Sequence, residues 1–138
     1  MIRYGTVPGK IFFVHYALLR IVAGLLLLMH GTQKVFGWPL KFPMAVDTMT
    51  TAIGVFEIIA GVMIMIGLFA SIPAFIASGM LAVGYFMVHQ PTGTWPIQNA
   101  GEPAVLLSFI FLYVAARGSG PLSVDSARGR NAAAVNDV

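Results

Sequence analysis

Apolar residues in this chain come in long blocks separated by short polar breaks. The blocks cover residues 11–29, 51–69, 72–88 and 103–116. A helix needs about 20 apolar residues, with a range of ~17–25, to cross the hydrocarbon of a bilayer. The first three blocks meet that length. The fourth meets it if its helix begins near Asn99, where Asn99 and Glu102 stand at the spacing of a capping box. Pro103 favours the first helical position, so the start is expected between Asn99 and Pro103. The pattern predicts spans over 11–33, 51–69, 72–89 and 99–116. Only Ala70 and Ser71 separate the second and third blocks, so those helices must be antiparallel neighbours, with Pro73 tolerated in a first turn. The expected fold is all-α: one domain, an antiparallel four-helix bundle in the membrane with both termini on one side. The segment 118–138, rich in Gly, Ser, Ala and Asn, is expected to be loose.

Composition reinforces the membrane reading. Of 138 residues, 58% are hydrophobic and 9% charged, and mean hydropathy is +0.86. Soluble domains carry roughly 25% charged residues, and this chain lacks the polar side chains to cover a surface in water. The partner implied is the lipid bilayer, and an oligomer is compatible with it. The first block is not read as a cleaved signal peptide: it is longer than the ~7–15 residues of a signal core, Arg20 interrupts it, and no small-x-small site follows. No long internal repeat or low-complexity tract is visible.

The basic residues set an orientation. Arg3, Lys10, Arg117, Arg128 and Arg130 fall in the terminal segments, whereas the connections 35–50 and 89–102 hold only Lys41, with Lys34 at their edge. Cytoplasmic loops collect Lys and Arg, so both termini are expected in the cytoplasm. The same asymmetry accounts for a pI near 9.6 without nucleic acid, since no basic cluster with interleaved aromatics occurs. The chain has no cysteine, which excludes thiolate metal sites, Cys-ligated clusters, c-type haem attachment and disulfide exchange within it. A redox role would need a non-thiol cofactor or a partner.

Two charges fall deep inside predicted spans, where each costs about 2.5–3.5 kcal/mol on insertion scales. Arg20 lies nine residues beyond Ile11, about 14 Å in, and Glu57 eleven residues before Leu68, about 17 Å in from the same side. Similar depth and opposite sign predict an intramembrane ion pair of Arg20 with Glu57, either as a lock between two helices or as a group that handles protons or a ligand. Gly54 and Gly61 share the helical face of Glu57, and Gly24 and Gly31 lie nearly in phase with Arg20. Small residues so placed mark a packing seam.

A second polar set gathers at the opposite membrane face: His30, Gln33 and Lys34 at the end of the first span, His89 at the end of the third, then Trp95, Asn99 and Glu102. Each has an ordinary reading as an interfacial aromatic, a snorkelling cation or a helix cap. Together, His30, Lys34, His89, Trp95, Asn99 and Glu102 would suit the polar head of a quinone-like amphiphile, with imidazoles and a carboxylate to exchange protons. Two His and one Glu also raise metal binding, but no His-x-x-x-His or Glu-x-x-His spacing occurs, so no metal is assigned, and a bis-His haem is weaker still. His15, alone on an apolar face, reads as hydrogen-bonded packing.

In order and spacing, these residues resemble the DoxX family of small bacterial membrane proteins. The resemblance is carried by Arg20-Ile-Val-Ala-Gly24, His30-Gly-Thr-Gln-Lys34, Gly54-Val-Phe-Glu57, Gly84-Tyr-Phe-Met-Val-His89, Trp95-Pro-Ile-Gln-Asn99-Ala-Gly-Glu102, Gly118-Ser-Gly120 and Ser123-Val-Asp125, from about Arg20 to Asp125. It implies a four-helix bundle in a bacterial inner membrane. Some members are similar to membrane subunits of thiosulfate:quinone oxidoreductases and of terminal quinol oxidase complexes, and others are associated with oxidative stress or sulfur metabolism. Two departures stand out: Ala100 and Pro103 alter the usual Asn-Gly-Gly-Glu opening of the fourth helix, and no arginine follows Gly67-Leu68. The implied function is a quinone-interacting membrane subunit whose redox partner protein supplies electrons, with a quinone as ligand, no cofactor in the chain itself and no catalytic residue assigned. The alternatives are a non-catalytic assembly or scaffolding protein and a small-molecule transporter. Only four spans, with no interrupted helices or inverted repeat, argue against transport.

Overall fold

The structure, a computed structural model, describes residues 9–129. Its helices are α1 (Gly9–Phe36), α2 (Thr48–Ile66), α3 (Ser71–Gly84), α4 (Glu102–Arg117) and a short α5 (Val124–Ala127). A π-helical turn, Tyr85–His89, and a 3-10 turn, Gln90–Thr92, continue α3. No strand occurs among the described residues. Three helical stretches, Gly9–Phe36, Thr48–Ile66 and Ser71–Thr92, are long and apolar enough to cross a membrane. The 16-residue α4 reaches about 24 Å, somewhat short of a ~30 Å hydrocarbon core. It starts at Glu102 with Pro103 in its first turn, within the expected window. The Asn99 side chain does not cap it; it closes a turn by accepting from the Gly101 amide at 2.9 Å.

The helices pack mainly as two antiparallel hairpins, α1 on α2 and α3 on α4, with sparser contact between them. Glycine dictates the first hairpin. A Cβ on Gly24 would stand 2.8 Å from the Gly61 carbonyl oxygen, and one on Gly31 would stand 2.6 Å from that of Gly54. The two backbones therefore touch at both levels, the close approach that small residues permit in lipid. In the second hairpin, Ser78 Oγ donates to the Ser108 carbonyl (2.7 Å) and Ser108 Oγ to the Ser78 carbonyl (3.0 Å). Leu27, Ile64, Phe111 and Val114 fill the centre together with Ala60, Ala74 and Ala77. Leu18, Val22, Phe75, Phe86, Leu106 and Phe109 point outward, as lipid solvation requires.

Helix ends obey local chemistry. The Asp47 carboxylate accepts from the Thr50 amide at 2.7 Å to cap α2, and that bond holds its pKa below the usual carboxylate range. Gly67, at φ +69°, ends α2 in the left-handed conformation, returning its amide to Ile64 and Met63 carbonyls.

The segment after α4 departs from expectation. Far from loose, residues 118–129 fold back across the end of the bundle, burying Ser119, Ser123 and Asp125. The sequence is polar and glycine-rich, but its polar groups are consumed by the bundle: Tyr16 Oη donates to the Gly118 carbonyl, the Asp125 amide to Gly67, and the Ala70 amide to Ser119 Oγ. Ser123 caps α5 by accepting from the Ser126 amide. The remainder of the expected loose segment, 130–138, lies outside the described residues, as do Arg3 and Arg130.

Candidate functional site

Besides the Ser78–Ser108 pair, the polar groups among the described residues gather around Arg20, around Glu57 and around Asn99. At the end carrying residues 118–129, Arg20 is 1% exposed. It does not meet Glu57. Its guanidinium donates to the backbone carbonyls of Ser119, Pro121 and Leu122, so it pins the C-terminal strap to α1. Glu57, 6% exposed, is instead gripped by Lys34, whose Nζ lies 2.7 and 3.0 Å from its two oxygens. The Phe42 ring also lies under that ammonium, 5.3 Å from centroid to nitrogen.

The expected pair of Arg20 with Glu57 fails for two geometric reasons. The glycine contacts set the register of α1 against α2, and continued along both helices it places Ala17, not Ile11, beside Leu68. The apolar limits taken as level are thus six residues apart, about 9 Å. Side chains also tilt toward the N-terminus of their helix. Arg20 therefore leans away from the level of Glu57, whereas Lys34, approaching from the other direction, leans toward it.

At the opposite end, α3 widens into the π-turn. Such turns recur at functional sites because they re-aim side chains. Here the turn buries Tyr85 and presents His89 to the loop before α4. Asn99, 5% exposed, organises the cluster. Its Nδ2 donates to Tyr85 Oη (3.1 Å) and to the Gly93 carbonyl (2.9 Å), and its Oδ1 accepts from Gly101 N. Its backbone carbonyl accepts from His89 Nδ1 at 3.0 Å. A Cβ on Gly101 would stand 2.4 Å from the Tyr85 ring, so glycine is required for this closure. A carbonyl partner places the proton on Nδ1, leaving Nε2 of the neutral ring as an acceptor. The Tyr85 hydroxyl accepts from Asn99 and has no acceptor for its own proton among the described residues. The Tyr85 and His89 rings stack with centroids 6.2 Å apart.

Of the six residues expected to form one pocket, the structure joins two, His89 and Asn99. Lys34 is committed to Glu57, and His30, Trp95 and Glu102 are exposed. No hydrogen bond or ion pair links His30 or Lys34 to the α3–α4 group among the described residues. His15 Nδ1 bonds the Ile11 carbonyl one turn back at 2.6 Å. Among the described residues no three His, Cys, Asp or Glu side chains gather closely enough to hold a metal ion. Sequence reasoning gave Tyr85, Ser119 and Asp125 no role, although all three fall in motifs that carry the family resemblance. Their signals were present, as aromatic spacing one turn before His89 and as the Ser-x-x-Ser cap pattern at Ser123, but each looks ordinary until the fold closes around it.

Comparison with known proteins places this architecture. An uncharacterized protein of Haemophilus influenzae is 35% identical over 117 residues, spanning 80% of this chain and 87% of the relative. No solved structure matches. The DoxX profile matches residues 15–90, the stretch that carries Arg20, the glycine seam, the ion pair and the π-turn. The chain is an integral membrane protein and belongs to the DoxX family.

Proposed function

We propose that this protein is a quinone-interacting membrane subunit of a redox or oxidative-stress complex, with the quinone head at the His89, Tyr85 and Asn99 cluster. The observation that carries the reading is the hydrogen-bond polarity of that cluster. Asn99 holds His89 so that Nε2 is an acceptor, and holds Tyr85 so that its proton is available. A quinone carbonyl needs a donor, and a quinol hydroxyl needs an acceptor. One acceptor and one donor, one helical turn apart, supply both. Trp95 and Glu102, exposed at the same end, frame the approach, and His30 and Lys34 lie at that end of α1. The chain holds and orients the head by these hydrogen bonds while a partner protein moves the electrons.

Extraction in mild detergent and mass spectrometry of co-purifying quinones test this. His89→Ala and Tyr85→Phe are each expected to lower retained quinone roughly tenfold, about the worth of one hydrogen bond, with expression unchanged. Quinone-free wild-type protein from quinone-replete membranes would sink the reading, as would undiminished retention in both variants.

The same proposal places the protein in the inner membrane with cytoplasmic termini, supported by Lys10, Arg117 and Arg128 at one end against Lys41 in the opposite connections. The Cys-free chain allows a direct check: Met44→Cys and Thr94→Cys should react with an impermeant maleimide in intact spheroplasts. Reaction only after permeabilisation reverses the orientation.

A further inference from the structure

The connection between α3 and α4, residues 93–101, joins helical stretches of unequal length. At one end of the bundle the two are level, since a Cβ on Gly118, just past α4, would stand 3.5 Å from Ser71 Oγ at the start of α3. At the other end they do not match. The stretch Ser71–Thr92 has 22 residues and rises about 33 Å, whereas the 16 residues of α4 rise about 24 Å. The connection must therefore descend about 9 Å along the bundle end, from the level where Ser71–Thr92 has cleared a ~30 Å hydrocarbon core toward its boundary with the headgroups.

The chemistry of the connection agrees with that depth. Residues 90–101 contain no charged side chain. Trp95 is 64% exposed and Ile97 79%, a poor arrangement for water, since exposed apolar area forfeits the gain of burial. The π-turn just before exposes Phe86 and Met87 in the same way. The backbone is folded on itself: the Gly93, Gln98 and Asn99 amides donate to carbonyls within 90–101, the Trp95 amide donates to the Gln98 side chain, and the Gly101 amide to Pro96 and Asn99. A backbone so bonded costs little to bring where water is scarce. Glu102, exposed at the foot of the connection, keeps that backbone at headgroup level, because a carboxylate is expensive any deeper.

We infer that residues 93–101 form an interfacial cap seated in the leaflet at this end, with the Trp95 and Ile97 side chains inserted among the upper acyl chains. Lipid, not water or a soluble partner, covers this surface. Tryptophan suits the position, as its ring spans the boundary between acyl chains and headgroups. Isoleucine carries no polar group that would oppose insertion.

Trp38→Phe leaves Trp95 as the sole tryptophan and provides the test. The purified chain, in nanodiscs whose lipids carry bromine high on the acyl chain, is expected to lose most of its tryptophan emission relative to unbrominated lipid. Iodide in the buffer should quench that emission several-fold less than it quenches free tryptophan. Ile97→Cys in the Cys-free chain reads the second side chain. An impermeant maleimide should label it several-fold more slowly than Thr94→Cys, a polar and exposed position of the same connection. Emission quenched freely by iodide and not by brominated lipid overturns the proposal, and is the outcome expected of a docking surface for a soluble partner. Emission that neither quencher reaches assigns the surface to contact between copies of the chain and overturns it as well. Equal labelling of Ile97→Cys and Thr94→Cys does so independently of the tryptophan. None of these measurements needs a bound quinone, so their outcome is separate from the quinone reading.

Discussion

Replacing Lys34 with methionine is expected to destabilise the bundle by about 3–5 kcal/mol, the cost of leaving a buried carboxylate without its partner. Lys34 and Glu57 side chains are 14% and 8% exposed, so water cannot compensate the loss, and Gly31 and Gly54 hold the helix backbones too close for the pair to be relieved by separation. Changing both residues, Lys34→Met with Glu57→Met, should recover most of that stability, because a well-packed apolar pair removes both desolvation costs at once. Reversible unfolding in mixed micelles gives the four free energies of the cycle. Additive effects of the two single changes would mean that the pair contributes nothing, and the site would have to be read through each residue separately.

Arg20→Met is expected to be nearly as damaging, but by a different route and at the other end. It strips the donors from the carbonyls of Ser119, Pro121 and Leu122, and each buried acceptor left unmet costs about 1–3 kcal/mol. Failure should begin locally. The strap carrying Ser119, Ser123 and Asp125 should become accessible, so that amide exchange over residues 118–129 accelerates by orders of magnitude while exchange in α1 and α2 at the glycine seam changes little. Protection of the strap equal to wild type would show that Tyr16, Gly67 and Ala70 hold it without the arginine. Because Arg20 and Glu57 belong to separate clusters, Arg20→Met and Glu57→Gln should combine additively, within about 0.5 kcal/mol.

These two residues also show where sequence reasoning stops. The presence of charges inside apolar spans was legible, as was their need for partners, since burying an unpaired charge in lipid is expensive wherever it occurs. Which partner each takes was not. Pairing across two antiparallel helices depends on register, and register here follows from the meeting of Gly24 with Gly61 and Gly31 with Gly54. The glycines themselves were visible on the right helical faces, but a face gives no axial offset, and an offset of six residues exchanges Arg20 for Lys34.

The same distinction runs through the rest of the molecule. Apolar block length and the scarcity of charge were enough to determine a helical membrane protein with a tight α2–α3 turn, because a chain in lipid must satisfy its backbone within each segment. Local spacing also placed the α4 start within a few residues, since Pro103 tolerates only the first turn. The tertiary structure alone decided that His89 and Asn99 meet while His30 stays outside their cluster. It alone made Tyr85 the third member, because the π-turn that buries it depends on packing against Asn99 and Gly101. And it alone turned residues 118–129 into a lid: a glycine- and serine-rich segment has little apolar surface to order it, so its order comes from donors on α1 and the α2–α3 turn that are distant in sequence.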